Sequence, residues 1–267
     1  MFPIIGRWGP FTLYTFTLLI DLGLVALVAW LYRQAPREQR ARWLDAAWLI
    51  NVGGFLGARL LYAAVNSAYY ALHPWEIFQI WLGGLSWPGA VVGGLLALWW
   101  YCRHTGIPWQ PLLEALALPI GLMQLMVWSS CLFGGCAYGY TVRPGDLPTW
   151  LTLTATDIYG TTTPRFATQT VGILWSVLCL AMVIWLLPRF RLPHGASGLM
   201  TIGLTAAGAL LLSFTRGDPM PLVYGWRLDI PGNALIVIGA VGATCALRSF
   251  SPRPSVPPTE SRSITNL

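Results

Sequence analysis

Seven stretches of mostly apolar residues recur along the chain, at roughly 11–32, 45–65, 85–102, 112–133, 168–188, 197–215 and 233–248. Each is near the length a helix needs to cross about 30 Å of hydrocarbon. Lipid offers no partner to an open backbone, so a helix is the expected form of each span. Composition agrees: 10% of the residues are charged and 55% are hydrophobic, whereas the surface of a water-soluble domain draws on about 25% charged residues. The sequence predicts an all-α, polytopic membrane helix bundle of about seven transmembrane helices with an outer loop region. It forms a single transmembrane domain over 1–250, followed by a Pro- and Ser-rich tail over 251–267 that is expected to be disordered. The first run is followed, not preceded, by its basic cluster and is too long for a signal peptide core, so it reads as a retained span.

The net charge of +6 comes with sixteen arginines and no lysine. Nucleic-acid binding would need a clustered basic face; these arginines instead sit in short groups between apolar runs. Arg33, Arg37, Arg40, Arg42, Arg103, Arg189, Arg191, Arg248, Arg253 and Arg262 fall on one side of the alternating spans, and Arg7, Arg143, Arg165, Arg216 and Arg227 on the other. Ten against five places the N-terminus outside and the C-terminus in the cytoplasm. The longest connection, about 134–167, then lies outside, and a connection of that length in a compact protein is functional or mobile.

Ionisable groups inside spans are costly and mark candidate sites. Asp21 and Arg59 are two such groups. They could pair across helices, or Arg59 could bind an anion, since an arginine fork suits a phosphate. Glu114 opens the fourth span and marks the interface. Gly53, Gly54, Gly57, Gly89, Gly93 and Gly94 permit close helix approach or bare a backbone that lines a cavity. Cys131 and Cys136 are spaced like neither a CxxC pair nor a zinc site; they read first as small packing residues, with a redox or metal pair as the alternative. No metal or cofactor is expected.

Several segments, in order, resemble the prolipoprotein diacylglyceryl transferase family. Gly9-Pro10-Phe11 leads into the first span. Gly57-Ala58-Arg59-Leu60-Leu61-Tyr62 resembles Gly-Gly-Arg-x-x-Tyr. Trp81-Leu82-Gly83-Gly84-Leu85-Ser86-Trp87-Pro88-Gly89-Ala90 resembles a stretch ending Gly-Gly-x-Ser-x-His-Gly-Gly. Cys131-Leu132-Phe133-Gly134-Gly135-Cys136-Ala137-Tyr138-Gly139 resembles a Cys-rich form of the family signature. Pro164-Arg165-Phe166-Ala167-Thr168-Gln169 resembles Arg-x-Pro-x-Gln, and Phe214-Thr215-Arg216-Gly217-Asp218 resembles Phe-x-Arg-Gly-Asp.

The resemblance implies a bacterial inner-membrane transferase that moves a diacylglyceryl group from phosphatidylglycerol to the lipobox cysteine in a prolipoprotein signal peptide. It nominates Arg59, Arg165, Gln169, Arg216 and Ser86 for the phospholipid, with Asp21, Cys136 and Asp218 as further candidates. The departures are specific. The family His falls at Pro88, its two further arginines at Trp128 and Ala209, its Glu in the sixth span at Ser213, and its first-span Tyr at Phe16. After Gln169, Thr170-Val171 stands in place of Tyr-Glu. His73, His104 and His194 lie in connections and replace nothing evident. The catalytic groups are therefore left unassigned. Two alternatives stay open within the family: a degenerate member that binds lipid or lipopeptide, and a transferase with a changed acceptor. A transporter would predict an internal repeat, and none is found.

Overall fold

The computed structural model describes residues 4–250 except 10, 80–83, 158, 191 and 224. The expected tail over 251–267, the Trp81–Gly83 part of the second-loop motif, Pro10, and Arg191, Arg253 and Arg262 lie outside the described residues.

The order is β1 (Ile4–Trp8), β2 (Phe11–Tyr14), α1 (Thr15–Gln34), α2 (Arg40–Val65), α3 (Ser67–Leu72), α4 (Trp87–Thr105), α5 (Trp109–Ala115), α6 (Ala117–Gly134), β3 (Thr152–Thr156), β4 (Thr162–Phe166), α7 (Thr168–Ala181), α8 (Ala196–Ser213), β5 (Leu222–Val223), β6 (Trp226–Arg227) and α9 (Asp229–Phe250). Among the described residues, six helical segments are long and apolar enough to cross a membrane: 15–34, 37–65, 117–134, 168–189, 196–213 and 229–249. The third expected span, α4, falls outside this group. Its glycines and its Trp-Trp-Tyr-Cys-Arg-His end dilute its apolarity.

Three expected spans change shape. Residues 11–14 pair with Ile4–Trp8 as an antiparallel hairpin, turned at Gly9 with φ +61°, so the first helix starts only at Thr15. The fourth span is two helices, because the ring of Pro119 would collide with the carbonyl of residue 115 and offers no N–H to it. The fifth loosens into a π-helical turn at Met182–Leu186 ahead of Pro188.

α2 and α4 pack more extensively than any other pair of described elements. A Cβ on Gly57 would lie 2.4 Å from the Gly89 carbonyl oxygen, and one on Gly93 would lie 2.2 Å from that of Gly53. The helices touch backbone to backbone, so the glycines serve close approach. Gly53, Gly57 and Gly93 also floor an open apolar groove of about 510 Å³ between Leu49, Leu56, Leu96 and Trp100. Elsewhere, indoles fill the space that glycines leave. Trp128 of α6 lies on Gly172 of α7, and Trp175 of α7 lies on Gly208 of α8, with its Nε1–H donating to the Leu204 carbonyl at 2.9 Å. Buried hydroxyls of Ser176, Thr201, Thr205 and Ser213 donate to carbonyls on their own helices, which removes their cost in an apolar interior.

The bundle has two distinct ends. At one, the Tyr101 hydroxyl donates to the Arg42 carbonyl, and the Glu114 carboxylate accepts the Gly195 and Ser197 N–H groups at 2.8 and 3.3 Å. Glu114 thus caps α8 from a neighbouring helix, an acidic group at a positive helix end. At the other end gather the β-hairpins, the starts of α1, α4, α7 and α9, and the ends of α2, α6 and α8. The longest connection, 135–167, folds there with β3 and β4 paired.

Candidate functional site

The hairpin end is organised around the residues that leave α6. Gly135 ends the helix in the left-handed region at φ +75°, and the N–H groups of Gly135 and Cys136 both donate to the Cys131 carbonyl. Ala137 follows at φ +52°, the one positive-φ non-glycine among the described residues. Gly139 to Val142 then run as a strand between two others. On one side Tyr140 N–H donates to Thr215 and Gly217 N–H to Tyr138. On the other, Val142 N–H donates to Pro164 and Phe166 N–H to Tyr140. A Cβ on Gly139 would sit 2.2 Å from the Phe166 carbonyl oxygen, and one on Gly217 would sit 2.6 Å from that of Gly139. Only glycine fits at either crossing. This cap joins three sequence motifs that are far apart in the chain.

Cys131 and Cys136 form a disulfide, Cα–Cα 4.6 Å. This corrects their reading as separate packing residues: the helix end and the turn bring the two sulfurs together, which a five-residue offset alone does not announce. Cys136 is therefore not a free thiol. Gln169 is buried, and its Nε2 donates to the Cys136 carbonyl at 2.8 Å. Next to it, the Thr168 hydroxyl meets that of Thr215 at 3.1 Å.

Arg165, nominated for the phospholipid, is 5% exposed. Its Nη2 contacts Asp157 at 2.8 Å, its Nη1 reaches the Gly139 carbonyl at 3.4 Å, and its guanidinium lies 4.6 Å from the Tyr138 ring centre. β4 points it inward, since it pairs with Leu153 across the hairpin and forms a bridge to Thr141.

Arg216 grips Asp218 with both ends of its fork, Nε at 2.8 Å and Nη2 at 2.5 Å, and its Nη1 lies 3.5 Å from Asp229. Arg227 joins in, donating to the Asp218 carbonyl at 2.7 Å and contacting both carboxylates at 3.3–3.4 Å. Burial pulls the Arg216 pKa down, but the bonds to Asp218 and the charge of Asp229 outweigh it and leave it raised. Two arginines and two aspartates make a neutral quartet joining the end of α8 to the start of α9.

Arg59 does not pair with Asp21. Its Nε donates to Ile77 at 2.8 Å, its Nη1 to Gly84 at 3.1 Å, and its Nη2 to Glu76 at 2.5 Å and Gln79 at 3.3 Å, all backbone carbonyls. Asp21 is exposed and makes no such contact among the described residues. Gly23 turns the α1 face toward Met123, which leaves Asp21 on the far side. Arg59 thus shapes the α2–α4 connection. Ser86 stands at the N-cap of α4 without a side-chain cap bond, its N–H donating to Ala58. Pro88 packs by Gly232 of α9.

Where the motif comparison expects an arginine, Trp128 is 5% exposed on Gly172, and Ala209 accepts the Ser213 hydroxyl at its carbonyl. His73 is exposed beside Tyr69 and Glu76. Among the described residues no three His, Cys, Asp or Glu side chains gather for a metal. Several polar atoms at this end are buried without a partner: Trp87 Nε1, Trp128 Nε1, Arg165 Nε and Asn233 Oδ1. Such atoms are rare in a settled interior and suit a polar ligand or water.

The sequence reading leaves out Asp157, Arg227 and Asp229 as site residues, and it holds the cysteine pair only as the alternative. The alternation of Arg216, Asp218, Arg227 and Asp229 around a Pro- and Gly-containing hairpin was the available signal for the quartet.

A sequence profile described as Prolipoprotein diacylglyceryl transferase matches residues 3–247. Relatives named phosphatidylglycerol–prolipoprotein diacylglyceryl transferase include one from Cupriavidus metallidurans, 29% identical over 92% of this chain and 93% of the relative. Another, from Rhodococcus jostii, is 28% identical over 90% and 72%. One from Corynebacterium diphtheriae is 26% identical over 92% and 93%.

Proposed function

The chain belongs to the prolipoprotein diacylglyceryl transferase family, and from that premise we propose that it transfers diacylglyceryl from phosphatidylglycerol to a prolipoprotein cysteine. The reaction belongs at the outer boundary of a bacterial inner membrane. The cysteine thiolate attacks the glycerol carbon that bears the phosphate, a C–S bond forms, the C–O bond breaks, and glycerol phosphate leaves. The observation that carries this reading is the convergence of Gly139, Arg165, Gln169 and Arg216 on one cap above the bundle. The unpartnered buried donors of Trp87, Trp128 and Arg165 at the same end supply a place for a polar headgroup.

The outward orientation of this end is part of the proposal. The arginine bias supports it, and so does the disulfide, because such bonds persist on the oxidising side of a membrane. Arg216 is the arginine best suited to a phosphate, at 21% side-chain exposure; the phosphate would take a place that Asp218 or Asp229 now holds. Arg59 acts through the backbone it holds, and Arg165 braces Asp157 and the Gly139 carbonyl while its Nε stays open to the headgroup. Gln169 fixes the signature turn, Ser86 the start of α4, and Asp218 orients Arg216. Asp21 faces away from this set.

A second reading, binding of lipid or lipopeptide without transfer, is favoured by specific substitutions. Pro88 offers no proton acceptor, and Trp128 and Ala209 offer no charge to a leaving phosphate. Expression in cells depleted of their own transferase separates the two. Rescue of growth, with lipid-modified prolipoprotein detected by mass, supports transfer. A well-inserted protein that fails both tests while retaining phosphatidylglycerol on purification supports binding alone.

A further inference from the structure

The proposed reaction gives the Cys131–Cys136 disulfide no part, yet the bond sits at the root of the cap. We propose that this pair is a thiol–disulfide exchange site for an extracytoplasmic dithiol, and that its redox state sets how firmly the cap is held. The proposal stands whether or not the chain transfers lipid.

Both cysteines are partly exposed, whereas Cys102 and Cys179 are buried and free. The bond closes the last turn of α6 onto the turn that launches the Gly139–Val142 strand. Beside it, Ala137 is held at φ +52°, which a side chain rarely adopts unless its surroundings enforce it. Two side-chain ties enforce it here: the disulfide, and Gln169 Nε2 on the Cys136 carbonyl. Opening the first leaves Gln169 as the one side-chain tie on the turn, beside the two backbone hydrogen bonds to the Cys131 carbonyl. The strand beyond bonds to neighbours on both sides, so a shift in the turn passes to the Thr215–Gly217 segment and to β4 together.

The exchange balances. A thiolate of the dithiol attacks one cysteine sulfur, the S–S bond breaks, and the other sulfur leaves as a thiolate that takes up a proton. The second thiol of the dithiol then displaces the mixed disulfide. The dithiol ends as a disulfide, and the protein gains two thiols.

The test uses the full chain in detergent, with dithiothreitol as the probe. Maleimide mass labelling counts free thiols, and limited proteolysis of the 143–161 connection reads the cap. Reduction should release two thiols and speed cleavage at least about tenfold, the scale of a short-loop disulfide lost. Reoxidation should reverse both changes. The variant Cys131→Ser/Cys136→Ser should be cut at the reduced rate and ignore dithiothreitol, and Cys245→Ser should behave as the parent. Unchanged cleavage once both thiols are released would overturn the proposal. So would failure of dithiothreitol to release the two thiols from the folded protein. Loss of lipid transfer with normal redox-dependent cleavage would bear on the proposed reaction alone.

Discussion

The α2–α4 seam and the cap over α6, α7 and α8 differ in what is added to close glycine packing. The seam is glycine against backbone, with Gly57 and Gly93 crossing Gly89 and Gly53 at distances that exclude any side chain. The cap adds side-chain ties to its own glycine crossings at Gly139 and Gly217: a disulfide, the Arg165–Asp157 pair, Gln169 on a carbonyl, and the arginine–aspartate quartet. In lipid there is little hydrophobic gain in bringing two apolar helices together, so close backbone contact does the work. At the water boundary charges are available, and specific pairs can hold short strands that would not be stable alone. The seam has one geometry it can adopt, while the cap has several independent ties that can be loosened one by one.

The sharpest way to break the comparison is at the seam. Gly93→Val puts a branched side chain onto the Gly53 carbonyl and should remove the folded bundle, at a cost beyond about 3 kcal/mol, read as loss of the monodisperse peak in size exclusion. In the cap, Arg165→Met leaves Asp157 at 13% side-chain exposure without its partner. It should cost about 3 kcal/mol in thermal stability, with part of the loss recovered on adding Asp157→Asn. At the opposite end, Glu114→Gln weakens the cap on α8 and should cost about 1 kcal/mol, detected as faster hydrogen exchange in the first turn of that helix. The smallest effect belongs to the quartet. Asp218→Asn leaves Asp229 beside both arginines and should cost under about 1 kcal/mol, while raising the retention of anionic lipid if Arg216 is thereby freed.

The helices were readable because lipid imposes a length and an apolarity that composition records directly. Their ends were less so: Pro119 breaks a run that hydropathy treats as continuous, and residues 11–14 are as apolar as the helix they precede. The motif positions could be named from sequence, but not what holds them. Arg59 could be read as a partner of Asp21 or of an anion, and Arg165 and Arg216 as phospholipid ligands. The structure turns the first onto carbonyls and the others onto Asp157 and Asp218, and those partners lie in segments with no periodicity to mark them. Pairing across a loop depends on where the chain turns, and hydropathy says nothing about that.

The bridge between Gly139 and Arg216 has a consequence for how the chain is made. All of α7 and α8 lies between those two residues in sequence. As the ribosome delivers the chain, Gly139 to Val142 emerges with one edge unpaired, and it must wait for two more helices to be threaded before Thr215 to Gly217 arrives to close it. Cap assembly is therefore a late event in biogenesis. A truncation after α7 would leave a bundle whose outer strand has lost its second neighbour.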